Sequence, residues 1–165
     1  MKKYLYIKFI AALVAAMSVS LHSCNGEKDL TPPVIDEAEF LPANCDIYYL
    51  GDTIRVRFVC EDDYELGNFN IEIHNNFDHH THGTSNIDCE EDHEHGEGEY
   101  PSAENAWVYN HDFTIAHGLK CDTVDLRIGV PTDVQAGDYH FMLRLTDRAG
   151  WQTLKAVAIR LRENN

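Results

Sequence analysis

Residues 54–60, Ile-Arg-Val-Arg-Phe-Val-Cys, alternate so that Ile54, Val56, Phe58 and Cys60 share one face while Arg55 and Arg57 share the other. The same period of two recurs in Phe69–His74, with Phe69, Ile71 and Ile73 inward and Asn70, Glu72 and His74 outward. It returns in Val124–Val130 and in Tyr139–Leu145, where Tyr139, Phe141, Leu143 and Leu145 face in and His140, Met142 and Arg144 face out. Trp107–Ile115, Thr153–Arg162 and a short segment near Pro33–Ile35 complete a set of seven strands, several of them ending in Gly, Pro, Asn or Asp. No stretch after residue 31 sustains a helical period, so the chain predicts an all-β sandwich.

The turn spacing suits an immunoglobulin-like Greek-key sandwich of seven strands. Two phrases agree: Gly51-Asp52-Thr53-Ile54, and Ala136-Gly137-Asp138-Tyr139 followed by Thr146-Asp147-Arg148-Ala149-Gly150, resemble the second strand's start and the last hairpin of bacterial immunoglobulin-like domains. Together with PPVI at 32–35, ELGNFNIEIHNNFDHHTHGTS at 65–85 and GDYHFMLRLTDRAGWQTLKA at 137–156, the chain resembles a Bacteroidota family of short lipoproteins known only as a domain of unknown function. That resemblance implies an immunoglobulin-like fold and an envelope location, and no activity.

The amino end changes the picture from domain to anchored domain. Lys2, Lys3 and Lys8 precede an apolar run and then Leu21-His22-Ser23-Cys24, which resembles the lipobox of bacterial lipoproteins with Cys24 as the lipidated residue. The expected organisation is a signal peptide at 1–23, a polar tether at 24–31 and the sandwich at 32–165, interrupted by an insertion at 75–105. Glu27-Lys28-Asp29 looks like the charged tag that sends some lipoproteins to the outer face of the outer membrane. The expected location is the cell envelope, as an outer-membrane lipoprotein in either the periplasmic or the surface-exposed leaflet.

The formal charge of −15 loses three lysines with the signal, leaving −18. Nucleic acid is an implausible partner for such a chain. The membrane is reached through the lipid, and the remaining partner classes are an envelope protein or a glycan. Four cysteines outlast processing, Cys45, Cys60, Cys89 and Cys121, an even number that argues for two disulfides in an exported chain. Immunoglobulin-like wiring puts Cys60 and Cys121 at one end and Cys45 and Cys89 at the other, which predicts Cys45–Cys89 and Cys60–Cys121.

The chemistry concentrates in His74–Glu99, where six histidines and eight carboxylates occur with no Lys or Arg. Neutral imidazole is the commonest protein ligand for zinc and copper. In the expected wiring the third and sixth strands are antiparallel neighbours, so His74 and His140 face each other on the exposed side of one sheet. Two of His79, His80 and His82 can fold back over that pair, with Asp78 as a further ligand or as a carboxylate orienting a ring. Arg160 and Arg162 fall at the same end and either pair with spare carboxylates or oppose a cation. The plainer reading is a solvated acidic loop that binds transition metals loosely. His93 and His95 belong to a low-complexity tract, and His111 falls on the apolar parity of its strand, as a half-buried core residue.

A second acidic set, Glu61, Asp62, Asp63 and Asp147, converges at the other end. It resembles the calcium sites of cadherin-like domains, and it equally suits carboxylates that cap turns. No nucleophile and base stand at a recognisable spacing, and the histidine motifs of copper–zinc superoxide dismutases are missing. The expected role is therefore binding rather than catalysis: a transition-metal-binding envelope lipoprotein, or else an interaction module whose histidine loop is structural.

Overall fold

The structure, a computed structural model, describes residues 28–77, 89 and 102–164. Residues 1–27, with Cys24 and the expected signal, lie outside the described residues. Among the described residues there are eight strands: β1 Val34–Ile35, β2 Asp46–Tyr49, β3 Thr53–Glu61, β4 Leu66–Asn75, β5 Tyr109–Thr114, β6 Cys121–Gly129, β7 Gly137–Asp147 and β8 Gln152–Arg162. They form two sheets in a sandwich-like arrangement, one ordered β1-β3-β6 and the other β2-β8-β7-β4-β5.

The alternating pattern builds the core. Ile54, Val56, Phe58 and Cys60 of β3 are buried, as are Phe69, Ile71 and Ile73 of β4 and Tyr139, Phe141, Leu143 and Leu145 of β7. The rings of Phe58 and Phe69 meet edge-on at 5.3 Å and join the two sheets. Each such side chain removed from water stabilises the fold by about 1.5–3 kcal/mol. At one end of the molecule, here the upper end, β3 and β7 finish; at the lower end β4 finishes and β7 begins.

Three features differ from the expected seven strands. An eighth strand, β2, pairs in parallel with the end of β8, from Asp46 opposite Ile159 to Tyr49 opposite Arg162. Its four residues are too short to show a period. The strand expected at Trp107–Ile115 is shorter, and it pairs with β4, in the same sheet as β7. There Phe113 stacks on Phe69 at 4.8 Å, and Asn70 donates to Asn110 and Asp112. Because β5 is an edge strand, His111 is exposed rather than half-buried, and its ring lies 4.5 Å from Tyr109. Third, His140 and Met142 are buried although alternation turns them away from the core. β7 is the middle strand of five, so its outer face has neighbours on both sides.

Tyr139, fully buried at the foot of β7, fixes both roots of the insertion. Its hydroxyl donates to the Gln135 carbonyl at 2.6 Å and accepts from the Trp107 amide at 3.1 Å. Its ring also meets Phe77 edge-on at 5.4 Å. Phe77 therefore holds the chain where it leaves β4, and Trp107 where it returns toward β5. Close approach requires glycine opposite: a Cβ on Gly137, at φ +151, would stand 2.5 Å from the Phe77 ring.

Replacing Tyr139 by Phe keeps the ring and strands a buried amide. We expect Tyr139→Phe to lower unfolding free energy by about 1–3 kcal/mol in urea titrations. An unchanged midpoint would show that the phenol does not anchor Trp107.

Candidate functional site

At the lower end, β4 and β7 run antiparallel with His74 directly opposite His140. Their rings lie 5.5 Å apart between centroids and nearly perpendicular, at 88°. Two imidazoles sharing one tetrahedral zinc at about 2.0–2.1 Å place their centroids about 5 Å apart, close to this spacing. Rigid strands supply both rings. His140 is almost wholly buried, and the His74 side chain keeps 17% exposure. His74 Nδ1 lies 3.1 Å from the Glu72 carboxylate, a partner two residues back on the same strand face.

Glu72 is a residue that the sequence reading passed over, although its two-residue spacing from His74 was the available signal. Asp78, His79, His80 and His82, expected above this pair, lie outside the described residues, as do His93 and His95. Asn76, buried, continues the β4 pairing by donating its amide to the Asp138 carbonyl at 2.8 Å.

Arg160, buried, pairs here with a carboxylate from outside the insertion. Its Nε lies 3.4 Å from the Asp138 carboxylate, and its Nη2 donates to the Cys89 carbonyl at 3.2 Å. Cys89 is bonded to Cys45. The Cys45 amide in turn donates to Ala158 on β8, so the disulfide fixes a point of the insertion beside the outer face of β8.

The second expected bridge is absent: Cys60 and Cys121 are both thiols. Register is the reason. Cys121 stands opposite Glu61 while Cys60 stands opposite Asp122, a one-residue offset that sends Cys60 into the core and Cys121 to the surface. Burial, assisted by the Asp122 charge, pushes the Cys60 thiol up to about 12.

The upper end holds the second candidate set, with a changed membership. One carboxylate oxygen from each of Asp29, Asp62 and Asp147 lies within 4.8 Å of the other two. Asp62 follows β3, Asp147 ends β7, and Asp29 comes from the segment before β1. Glu61 and Asp63 are exposed outside this group, Asp63 accepting from the Thr31 hydroxyl and Glu61 standing beside Cys121. Asp29 was not foreseen because nothing in a polar tether signals that it packs back. A bulge between Leu66 and Asn68 lets β4 pass close to Asp147. A Cβ on Gly67 would stand 2.8 Å from the Asp147 carbonyl oxygen, so only glycine fits there.

Burial raises the Asp147 carboxyl; backbone donors from Trp151 and Gly150 oppose that, and the charges of Asp29 and Asp62 add to it.

Fold and sites together define a two-sheet all-β domain with paired imidazoles at one end and converging carboxylates at the other. The chain belongs to the family Domain of unknown function (DUF4625), whose model matches residues 22–162. A comparison with curated proteins finds no match. Among solved structures, the sporulation control protein Spo0M from Bacillus subtilis is 14% identical with TM-score 0.43, over 82% of this chain and 51% of its own. Catalytically inactive OgpA from Akkermansia muciniphila, in complex with an O-glycopeptide, is 10% identical with TM-score 0.44, over 84% of this chain and 32% of its own. A family 123 glycoside hydrolase from Clostridium perfringens is 11% identical with TM-score 0.43, over 80% of this chain and 27% of its own. The chain thus spans about half or less of each, and likenesses of this size bear on no function.

Two outcomes follow from this geometry. In protein carrying Cys24→Ser, a thiol reagent should modify Cys121 in the native state and Cys60 only after unfolding; no reactive thiol at all would restore the second bridge. The raised Asp147 carboxyl holds its proton more tightly when folded than when unfolded. Its contribution to stability is therefore greatest below the ordinary carboxylate range and is lost as pH rises through the raised value. With chelator present, Asp147→Asn should be more stable than the parent at neutral pH, and the gain should vanish near pH 4. A variant less stable at neutral pH would contradict that sign.

Proposed function

We propose that this chain is a lipid-anchored, immunoglobulin-like module of the cell envelope that holds one zinc or copper ion at its lower end. The observation that carries the reading is the His74–His140 pair, set by strand register at a spacing two ligands of one ion can share. His74 and His140 are the fixed ligands. Two of His79, His80 and His82 complete the set from the insertion, and Asp78 ligates or orients a ring. The insertion's ends are already anchored through Phe77, Trp107 and the Cys45–Cys89 bond, which lowers the ordering entropy that a closing loop must lose.

The immunoglobulin-like reading draws support from the strand orders: β1-β3-β6 correspond to strands A, B and E, and β8-β7-β4 to G, F and C. Tyr139, bonded to a carbonyl four residues upstream at the foot of β7, has the form of the tyrosine corner found in such domains. The envelope location rests on the sequence of residues 1–24, and the role is capture of an ion rather than catalysis.

The test is calorimetric titration of mature, untagged protein carrying Cys24→Ser with Zn²⁺ and Cu²⁺. We expect one tight site with sub-micromolar Kd, weakened at least tenfold in His74→Ala and lost below about pH 6 as imidazoles protonate. Weak binding at many sites, unchanged by His74→Ala, would leave an interaction module with an incidentally metal-binding loop.

A further inference from the structure

The upper carboxylates are built differently from turn caps. In each of Asp29, Asp62 and Asp147, Oδ1 does the local work. Asp29 accepts from Thr31, Asp62 from the amides of Tyr64 and Glu65 at 2.9 and 2.6 Å, and Asp147 from those of Gly150 and Trp151 at 2.6 and 2.8 Å. The second oxygen, Oδ2, is buried in all three and has no hydrogen-bond partner. Asp62 and Asp147 are themselves 8% and 4% exposed. Among the described residues none of the three forms an ion pair. Two basic side chains nearby are engaged elsewhere: Lys120 donates to the Asp63 carbonyl and Arg148 lies 3.5 Å from Glu65.

Capping explains the three satisfied oxygens and leaves the three others without purpose. Like charges drawn together with unpaired, buried oxygens raise the energy of the fold unless something positive lies between them. Two oxygens sharing a calcium ion at about 2.3–2.6 Å are at most about 5 Å apart, which the cluster satisfies. The donors are all carboxylate, with no nitrogen or sulfur, which selects a hard cation over zinc or copper.

We propose that Asp29, Asp62 and Asp147 bind one calcium ion, and that this ion clamps the N-terminal segment onto the upper end of the domain. The segment already has two exposed ties there, as Trp151 Nε1 donates to the Asp29 carbonyl at 3.2 Å and the Thr31 hydroxyl donates to the Asp63 carboxylate. The ion adds a third tie through the Asp29 carboxylate. It thereby fixes the direction in which the chain leaves the sandwich, and the site stands independently of the histidine pair at the other end.

The experiment uses the mature, untagged chain with Cys24→Ser, stripped with EDTA and then supplied with Ca²⁺ alone. Thermal unfolding should shift up by about 5–10 °C at calcium a hundredfold above Kd. Asp62→Asn and Asp147→Asn keep the Oδ1 caps, so both should fold with at least the parent Tm in EDTA and lose the calcium shift. Hydrogen exchange at residues 29–31 should slow on adding calcium in the parent and not in Asp147→Asn. His74→Ala should retain the whole calcium shift, which separates this site from the lower one. The proposal is overturned by no calcium shift in the parent, by a shift that survives both Asn variants or disappears in His74→Ala, or by calcium-independent exchange at 29–31.

Discussion

The phenol of Tyr139 makes two hydrogen bonds inside the core, and much of the lower end depends on them. Leaving either partner unsatisfied there costs about 1–3 kcal/mol, so the ring has one position. That position fixes Trp107 on one side and Phe77 on the other, the two places where the insertion meets the sheet. Alternation then turns the next residue, His140, to the opposite face, beside His74. The imidazole pair thus inherits its geometry from the core rather than from a loop, which is what a ligand set needs to hold its angles.

Opposite ends of β7 carry opposite kinds of donor. The foot of the strand presents ring nitrogen, suited to zinc or copper, and its last residue, Asp147, belongs to a group of carboxylate oxygens suited to calcium. On the proposed readings, ligand chemistry separates the two ions without any further device. Each end also receives a segment from outside the two sheets: the insertion below, through Cys89, and the N-terminal segment above, through Asp29. On the proposed reading, metal binding fixes the appendages of an already packed sandwich and leaves its core unchanged.

The core was legible because β strands bury alternate residues: the inward positions of β3, β4 and β7 follow from period two alone. The facing of His74 and His140 was legible too, since it needs only antiparallel neighbours and parity. The Cys60–Cys121 pairing failed on a finer scale, because a register offset of one residue reverses a side chain and composition does not encode it. Burial of His140 was hidden for another reason: parity states which way a side chain points and not what covers that face. Asp29 was out of reach because packing of a polar segment leaves no periodic trace, and β2 because four residues carry no period.

The most direct measurement is anomalous diffraction at the zinc edge from crystals of the untagged mature protein grown with one equivalent of zinc. The account predicts one strong peak between strands β4 and β7, within bonding distance, about 2.0–2.1 Å, of a ring nitrogen of both His74 and His140. A zinc peak bonded to neither ring, with the His74–His140 spacing unchanged, would contradict it.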